Sequence, residues 1–360
     1  MNKKRRNKQK IWLIKQNKKN LKKRTKRKKD QKRKKAITQK YYEPTNNSFY
    51  DKKNSEFKCV APKNFSIMDY SLETIDFFND VIEQLNKKIH NKVIINFILD
   101  FVENITIDAV MYMLAITKNT KKNHQTRGTY PTNDTAKAVF MNSGFLKFVF
   151  SNRNIINPSP NNDIQIRLSN DSNKNATTCK EINTIIIDRY GVSRKSLRFL
   201  YDIIYEMMIN TNEHAYNNGT FLLNYWYIYV ALEENRVKIS FLDTGIGIPK
   251  TVNKNFKEKV NFLGISGDSN LILSALYGKF KTSTKQAYRG KGLPKFTKYN
   301  KEGKIDKFKM VSGKGKIEFD SSKNDYNATN LDKALVGTIY YFEIDIIKLK
   351  ESDMIDNKNM

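Results

Sequence analysis

The stretch FLDTGIGIPK, residues 241–250, carries most of the information about how this chain folds. An apolar run ends at Asp243, and glycines follow at positions 245 and 247. Glycine adopts positive φ and lets the backbone approach a ligand closely. An ionised carboxylate only accepts hydrogen bonds, so Asp243 suits an exocyclic amine such as that of adenine. The pattern predicts a strand, Arg236–Asp243, that ends in a ligand-binding turn. A dinucleotide fingerprint is disfavoured because a third glycine is missing and no clear helix is predicted after the turn.

A polar stripe lies on the long helix predicted upstream, at about Ser193–Asn217. Glu206, Asn210 and His214 are four residues apart and therefore share one helix face. The opposite side of the helix is apolar and carries Ile203, Ile204, Met207 and Met208. The stripe fits either a solvated face or a binding face.

A second glycine motif occurs in YRGKGLPKF, residues 288–296. Gly290 and Gly292 flank Lys291, and their backbone N–H groups suit phosphate oxygens at the start of a helix. The sequence GxxxxGK[ST] is absent, which argues against a P-loop nucleotide fold.

Together and in this order, these motifs resemble those of the GHKL ATPases, the superfamily of gyrase, heat-shock chaperones, histidine kinases and MutL. E-x-x-x-N-x-x-x-H-A at Glu206–Ala215 resembles the helix motif of that family, and D-x-G-x-G-I at Asp243–Ile248 resembles its adenine motif. G-x-G-L at Gly290–Leu293 resembles the lid motif, and Gly337–Thr338 the signature of the final strand. The resemblance implies an α+β fold, a two-layer α/β sandwich of the Bergerat type, over residues 165–349.

The resemblance also implies ATP and Mg²⁺ as cofactors. Asn210 would ligate Mg²⁺ through its side-chain oxygen, and Glu206 would act as the base or orient the attacking water. Asp243 would bind the adenine amine, helped by Thr338 through water. Further residues of the nucleotide site would be His214, Gly245, Gly247, Gly290, Lys291 and Gly292. The lid motif departs from the family where it continues into Pro294 rather than a further glycine.

A small α/β domain is predicted at residues 60–150, preceded by a polar connector. Its predicted elements are a strand at Phe65–Met68, a helix at Ser71–Leu85, a buried strand at Val93–Leu99, a helix at Ile107–Ala115, and a short helix within Asp134–Phe150 that ends near Gly144. The stretch VIINFILDFVENITIDAV resembles STAS domains, which accompany kinase-like GHKL proteins. In signalling STAS domains a phosphorylated Ser or Thr often follows the Asp at the helix start, but Ala109 follows Asp108 here. We therefore expect a packing or dimerisation domain rather than a phosphoacceptor.

A linker, a long loop and an antiparallel sheet complete the secondary structure that the sequence predicts. Residues 151–175 are rich in Asn, Ser and Pro and are predicted as a linker, and residues 250–291 as a long loop. A predominantly antiparallel sheet is expected from strands at Phe221–Leu232, Arg236–Asp243, Ile305–Ser312, Lys316–Phe319 and Thr338–Ile344.

The amino-terminal arm, residues 1–40, is strongly basic. Residues 1–35 contain 20 Lys or Arg against the single acid Asp30, so 19 of the 30 net positive charges of the chain lie there. Such a run buries too little apolar surface to order itself, which predicts disorder. Nucleic acid is the partner expected for residues 1–35. The alternatives are a solubilising tail without a specific target and binding to an anionic membrane.

The cysteine and histidine content narrows the class of protein. Cys59 and Cys179 form no CxxC pair, which argues against a zinc site or a disulfide scaffold and is typical of a cytoplasmic protein. No apolar run approaches the ~20 residues of a membrane helix. His90 and His124 lie in no evident dimerisation hairpin, which argues against a complete sensor histidine kinase.

Three functions remain open from the sequence. The leading one is an ATP-dependent regulatory or switch ATPase that acts on an unidentified protein partner, with a homodimer also compatible. The first alternative is an anti-sigma-like serine/threonine kinase, since NEHAY resembles that branch of the family. The second is an ATP-gated nucleic-acid-binding protein that acts through its basic arm.

Overall fold

A computed structural model describes residues 48–51, 56–87, 94–120, 125–149, 164–169, 173–214, 225–280 and 292–358. From Ser48 onward these residues pack as one unit. The fold is mixed α/β, with one mainly parallel sheet and one antiparallel sheet. The predicted basic arm lies outside the described residues. In the described part, no helix combines the length and the apolar character needed to cross a membrane.

The described residues of the first part form a four-stranded sheet, a pair of short strands and four helices. The sheet has the order β1-β2-β4-β6, formed by Ser48–Asp51, Glu56–Val60, Ile94–Ile98 and Gln125–Gly128; β2, β4 and β6 are parallel and β1 is antiparallel to β2. Two short strands, β3 at Asn64–Phe65 and β5 at Asn104–Ile105, pair separately. The helices are α1 at Ser71–Lys87, α2 at Ile107–Thr120, α3 at Asp134–Asn142 and α4 at Phe145–Val149. The predicted helices at Ser71–Leu85 and Ile107–Ala115 and the predicted strand at Val93–Leu99 are confirmed. Strands β1 and β2, which lie in the predicted polar connector, and β5 and β6 were not predicted, and the strand expected at Phe65–Met68 is only Asn64–Phe65.

The second part is built on a five-stranded sheet whose neighbouring strands are all antiparallel. Its order is β10-β11-β9-β8-β7, formed by Asp306–Asp320, Asp325–Asp345, Arg236–Asp243, Trp226–Leu232 and Ile164–Ser169. The described helices of this part are α5 at Asn173–Tyr190, α6 at Arg198–His214, α7 at Ile248–Phe262, α8 at Asp268–Leu276, α9 at Gly292–Lys301 and α10 at Ile346–Lys358.

Both faces of the antiparallel sheet are buried. Because side chains alternate along a strand, Ile239 and Phe241 point to the side covered by the helices of the second part, whereas Leu242 points to the other side. On that other side the sheet packs against α1 and α2 of the first part through Tyr227, Leu242, Val311, Leu335 and Ile339. One hydrophobic cluster is therefore shared by the two parts, and a separate cluster lies on the opposite face of the antiparallel sheet.

Helix α2 is buried around its whole circumference. Every residue from Ala109 to Ile116 is at most 1% exposed. A helix that is apolar on all sides has to be covered on all sides. Here α2 contacts β6, α3 and α4 of its own part and β9 of the antiparallel sheet. The order of layers is thus parallel sheet, α1 and α2, antiparallel sheet, and the helices of the second part.

Several boundaries differ from the sequence-based predictions. Within the predicted linker, residues 164–169 form the edge strand β7, and α5, which was not predicted, starts at Asn173. The helix predicted from Ser193 begins at Arg198, after a turn. The two strands predicted at 305–312 and 316–319 are one continuous strand, β10, with irregularities near Gly313.

The predicted long loop at residues 250–291 is wrong for its described part. Helix α7 begins directly after Gly247, so the turn of the first glycine motif does run into a helix. Helices α7 and α8 bury a small apolar cluster of Val252, Val260, Leu271, Ala275 and Phe280. In α7, Lys254, Lys257 and Lys259 lie between Val252 and Val260, so the buried apolar residues are too far apart to show a helical period in the sequence.

Candidate functional site

Asp243 lies at the end of the central strand of the antiparallel sheet. It pairs with Thr338 of β11 on one side and with Trp226 of β8 on the other. The backbone N–H of Gly245 donates to Asp243 Oδ1 at 2.6 Å. Burial nevertheless raises the pKa of the Asp243 carboxyl to about 6, and the Gly245 hydrogen bond only partly offsets this effect. The first glycine motif thus presents a carboxylate with raised proton affinity beside Thr338.

A bulge in β11 brings Gly337 against this strand end. Ser312 of β10 pairs with Thr338, whereas Gly313 pairs with Leu335, so two residues of β11, Val336 and Gly337, have no partner in the register of β10. Gly337 has φ +97°, and a Cβ placed there would lie 2.2 Å from the Asp243 carbonyl oxygen. Only glycine fits this position. We call residues 335–338 the β11 bulge.

The Ser312 side chain bonds the start of α7 to the β11 bulge at this strand end. Its buried hydroxyl accepts from the Ile248 N–H at 2.9 Å and lies 2.8 Å from Thr338 Oγ1. It also donates to the Gly337 carbonyl at 3.1 Å. Gly247 has φ +84°, and a Cβ there would lie 2.9 Å from Ser312 Oγ. Gly247 therefore lets the start of α7 pack on Ser312.

The polar stripe on α6 is present in the structure. Ile203, Ile204, Met207 and Met208 are buried in the core, and Glu206 and Asn210 are half-buried on another side of the helix. His214 is the last described residue of α6, and its side chain lies outside the described part. The predicted division of this helix into an apolar side and a polar side is confirmed for Glu206 and Asn210.

The amino terminus of α9 lies directly against this stripe. A Cβ at Gly292, the first residue of α9, would lie 3.1 Å from Glu206 Oε2 and 3.2 Å from Asn210 Nδ2. Lys295 Nζ donates to Glu206 Oε1 at 2.8 Å, and both side chains are largely shielded from solvent. Gly290 and Lys291 lie outside the described residues. Residues of α6 and α9 that are more than 80 positions apart in the sequence are thus in contact at the start of α9.

Helix α9 is fixed in this place by aromatic packing. Phe296 stacks on Tyr340 of β11 with ring centroids 5.6 Å apart and contacts Phe308 of β10 at 4.9 Å. One turn further on, Tyr299 packs against Phe199 of α6 at 5.4 Å. The position of Gly292 beside Glu206 is therefore set by the sheet and by α6 together.

Two site residues were missed by the sequence analysis. Lys295 stands in the second glycine motif, three residues after Gly292, and its position there was the available signal. Ser312 belongs to no motif, and only the register of β10 with β11 places it beside Thr338. A residue of this kind is found from the pairing of strands rather than from local sequence.

In the described part, no group of three or more His, Cys, Asp or Glu side chains could hold a metal ion. A metal at this site would need ligands of another kind, such as the Asn210 amide oxygen and the oxygens of a bound phosphate. Cys59 and Cys179 are buried, free thiols.

No family model matches the chain, and no curated protein matches its sequence.

Proposed function

We propose that this chain binds Mg-ATP in a GHKL-type site and acts as an ATP-dependent regulatory ATPase. The observation that carries the proposal is the packing of Gly292 against Glu206 and Asn210. A helix start presents free N–H groups and the positive end of the helix dipole, which together favour phosphate. In this proposal the α9 start binds the phosphates next to the Glu206 carboxylate and the Asn210 side-chain amide.

The adenine end of the proposed site is supported by the strand end at Asp243. The carboxylate and Thr338 face each other on neighbouring strands. One acceptor and one hydroxyl there suit an amine and a bridging water. In this proposal Asp243 accepts from the adenine amine, and Gly245 and Gly247 form the turn beside the base. The helical side of the sheet, which carries both Asp243 and α6, is the side on which the nucleotide would lie.

The chemistry assigned to the phosphate end rests on Glu206 and Asn210. Mg²⁺ takes few protein ligands when phosphate oxygens and waters complete its shell, so one amide oxygen is a sufficient protein contribution. When bound, the ion would neutralise phosphate charge during transfer. Glu206 would accept a proton from the attacking water. Its present partner Lys295 holds the carboxylate in place at 2.8 Å.

The finer fold assignments belong to the same proposal. An antiparallel sheet with α6 packed on one face, and the strand, turn and helix sequence around Asp243, support a Bergerat-type fold for residues 165–349. The parallel β2, β4 and β6, with α1 and α2 on one side, support a STAS-like origin for residues 60–150. Asp108 accepts from the N–H groups of Ile67 and Met68 at 2.7 and 2.9 Å. Asp108 thus bonds backbone groups inside its own domain, which supports a packing role for that domain.

Mass spectrometry of the nucleotides and of the protein after incubation with Mg-ATP would test the proposal. The expected result is ADP and free phosphate, with the mass of the protein unchanged. Transfer of phosphate to a protein would support the kinase alternative instead. Unchanged ATP, together with no calorimetric binding, would contradict the proposal. Phosphate release that depends on added nucleic acid would favour ATP-gated binding through the basic arm, for which the charge of residues 1–35 is the supporting observation.

A further inference from the structure

The β11 bulge is held by hydrogen bonds from a different part of the chain. Tyr112 of α2 donates its phenolic hydroxyl to the Val336 carbonyl at 3.0 Å. Asn79 of α1 donates its amide to the Ala334 carbonyl at 3.1 Å. A bulge leaves carbonyls outside the strand ladder, and buried carbonyls need partners. Tyr112 supplies a partner for Val336 inside the bulge, and Asn79 supplies one for Ala334, an exposed residue that directly precedes the bulge.

These contacts end next to the proposed adenine site. Val336 precedes Gly337, whose carbonyl accepts from Ser312, and Thr338 follows opposite Asp243. Ion pairs join the same two layers, from Lys309 to Asp69 at 2.6 Å and from Lys333 to Asp76 at 3.6 Å. The bulge is thus fixed from one side by α1 and α2 and from the other by Ser312.

We infer that Tyr112 is a positioning residue of the nucleotide site, and that the layer of α1 and α2 sets nucleotide affinity by fixing the β11 bulge. The inference rests on the proposed function, because it concerns the same pocket. A shift of the bulge moves Gly337 and Thr338 relative to Asp243. Docking of the first part and binding of the base are then thermodynamically linked, and each strengthens the other.

The test compares two substitutions that remove one hydroxyl each from the same interface. Tyr112→Phe removes the donor to Val336. Tyr227→Phe is the matched control, because Tyr227 is fully buried on the same face of the sheet and its hydroxyl has no hydrogen-bond partner within the described part of the chain. Titration calorimetry of both full-length variants with Mg-ATP and Mg-ADP gives the affinities, and thermal unfolding gives their stability.

Tyr112→Phe should bind ATP and ADP more weakly by the same factor, about three- to tenfold, because the lost hydrogen bond acts at the base and not at the phosphates. Tyr227→Phe should stay within about twofold of the wild type. Equal affinity of Tyr112→Phe and wild type, with only a lower melting temperature, would overturn the inference and leave ATP binding intact. A wild-type chain that binds no nucleotide would overturn the proposed function and the inference together.

Asn79→Ala provides a second measurement that does not depend on a core substitution. Asn79 is half-buried, so this variant should fold normally. It should weaken the binding of both nucleotides by about two- to threefold. Combined with Tyr112→Phe it should give a non-additive loss, because the two side chains bond Ala334 and Val336, two residues apart at the bulge. Unchanged nucleotide affinity in both single variants and in the double variant would overturn the inference.

Discussion

Around Asp243 the candidate site depends on the backbone of two glycines, near which the Ser312 and Tyr112 hydroxyls are bonded, whereas around Glu206 it depends on an ion pair and packed side chains. At the Asp243 end, Gly247 and Gly337 adopt positive φ and leave no room for a Cβ. At the Glu206 end, an ion pair with Lys295 and the aromatic packing of α9 set the geometry. A site held by backbone suits recognition of one rigid base. A site held by side chains can rearrange during a reaction.

Among the substitutions that test the difference between the two ends of the candidate site, Glu206→Gln should have the largest effect. The amide keeps the size of the side chain and still accepts from Lys295, but it cannot take a proton. We expect Mg-ATP binding to be kept and turnover to fall on the order of 10²–10⁴-fold, measured by phosphate release. Asn210→Ala should instead lose Mg²⁺-dependent binding.

Glu302→Gln is the matched control for this loss. Glu302 lies just after α9 and forms exposed ion pairs with Lys298 and Lys304. Surface pairs contribute little, so turnover should be unchanged. Wild-type turnover in Glu206→Gln would show that Glu206 is structural and would favour the kinase alternative.

The next largest effect should come from Gly337→Ala, at the backbone-held end. Its Cβ would meet the Asp243 carbonyl, and its φ of +97° disfavours any other residue. We expect a loss of about 2–5 kcal/mol in the free energy of unfolding, measured by urea denaturation, and ATP binding lost with it. Gly303→Ala also has positive φ, at +68°, but no atom lies near its Cβ. It should cost only about 1–2 kcal/mol, and an equal cost for both would contradict the proposed contact.

A smaller change, Asp243→Asn, should separate binding from stability. The amide presents a donor toward the adenine amine, and such a buried mismatch costs about 1–3 kcal/mol, or roughly tenfold in affinity. Calorimetry on the folded variant measures this loss. Unchanged affinity would rule out Asp243 as the adenine acceptor.

The same substitution has a pH dependence with a definite sign. Burial raises the pKa of Asp243 to about 6 in the folded protein, above its usual value near 4. The folded state therefore binds more protons between those values, and the stability of the wild type falls as pH rises through about 6. Asp243→Asn should melt at a higher temperature than wild type at pH 7.5, with the difference lost near pH 4. A lower melting temperature at pH 7.5 would contradict this account.

The smallest effect on ATP binding is expected from deleting residues 1–35. Every motif that is proposed to bind nucleotide lies beyond residue 200, so ATP affinity should not change. Binding to DNA and RNA should be lost, and in the full chain it should fall with salt, with a log–log slope of about −0.9 per duplex phosphate neutralised. Undiminished nucleic-acid binding by the truncated protein at matched salt would exclude the arm as the binding element.

Local patterns predicted the elements that carry the site but not their packing. The strand Arg236–Asp243 was predicted from a short apolar run that ends in a glycine-rich turn. The polar stripe of Glu206 and Asn210 was predicted from the four-residue spacing of its members. Helix α7 was missed because its apolar residues are few and widely spaced. Helix α8 was missed because it is short, although Ile272 and Leu276 pack in the main core of the second part. The role of Ser312 was not predictable, since it depends on a bulge 25 residues away along the chain.

The burial of α2 between two sheets has a consequence for how the chain is made. Tyr112 and its partner Val336 are separated by 224 residues. At a synthesis rate of ~5–20 residues per second, α2 is synthesised roughly 10–45 s before β11. Until β9, and finally β11 beside it, have been made and have paired, the side of the helix that later contacts β9 is an apolar surface without a cover. During synthesis, this side of α2 is therefore a surface that a chaperone could bind and protect.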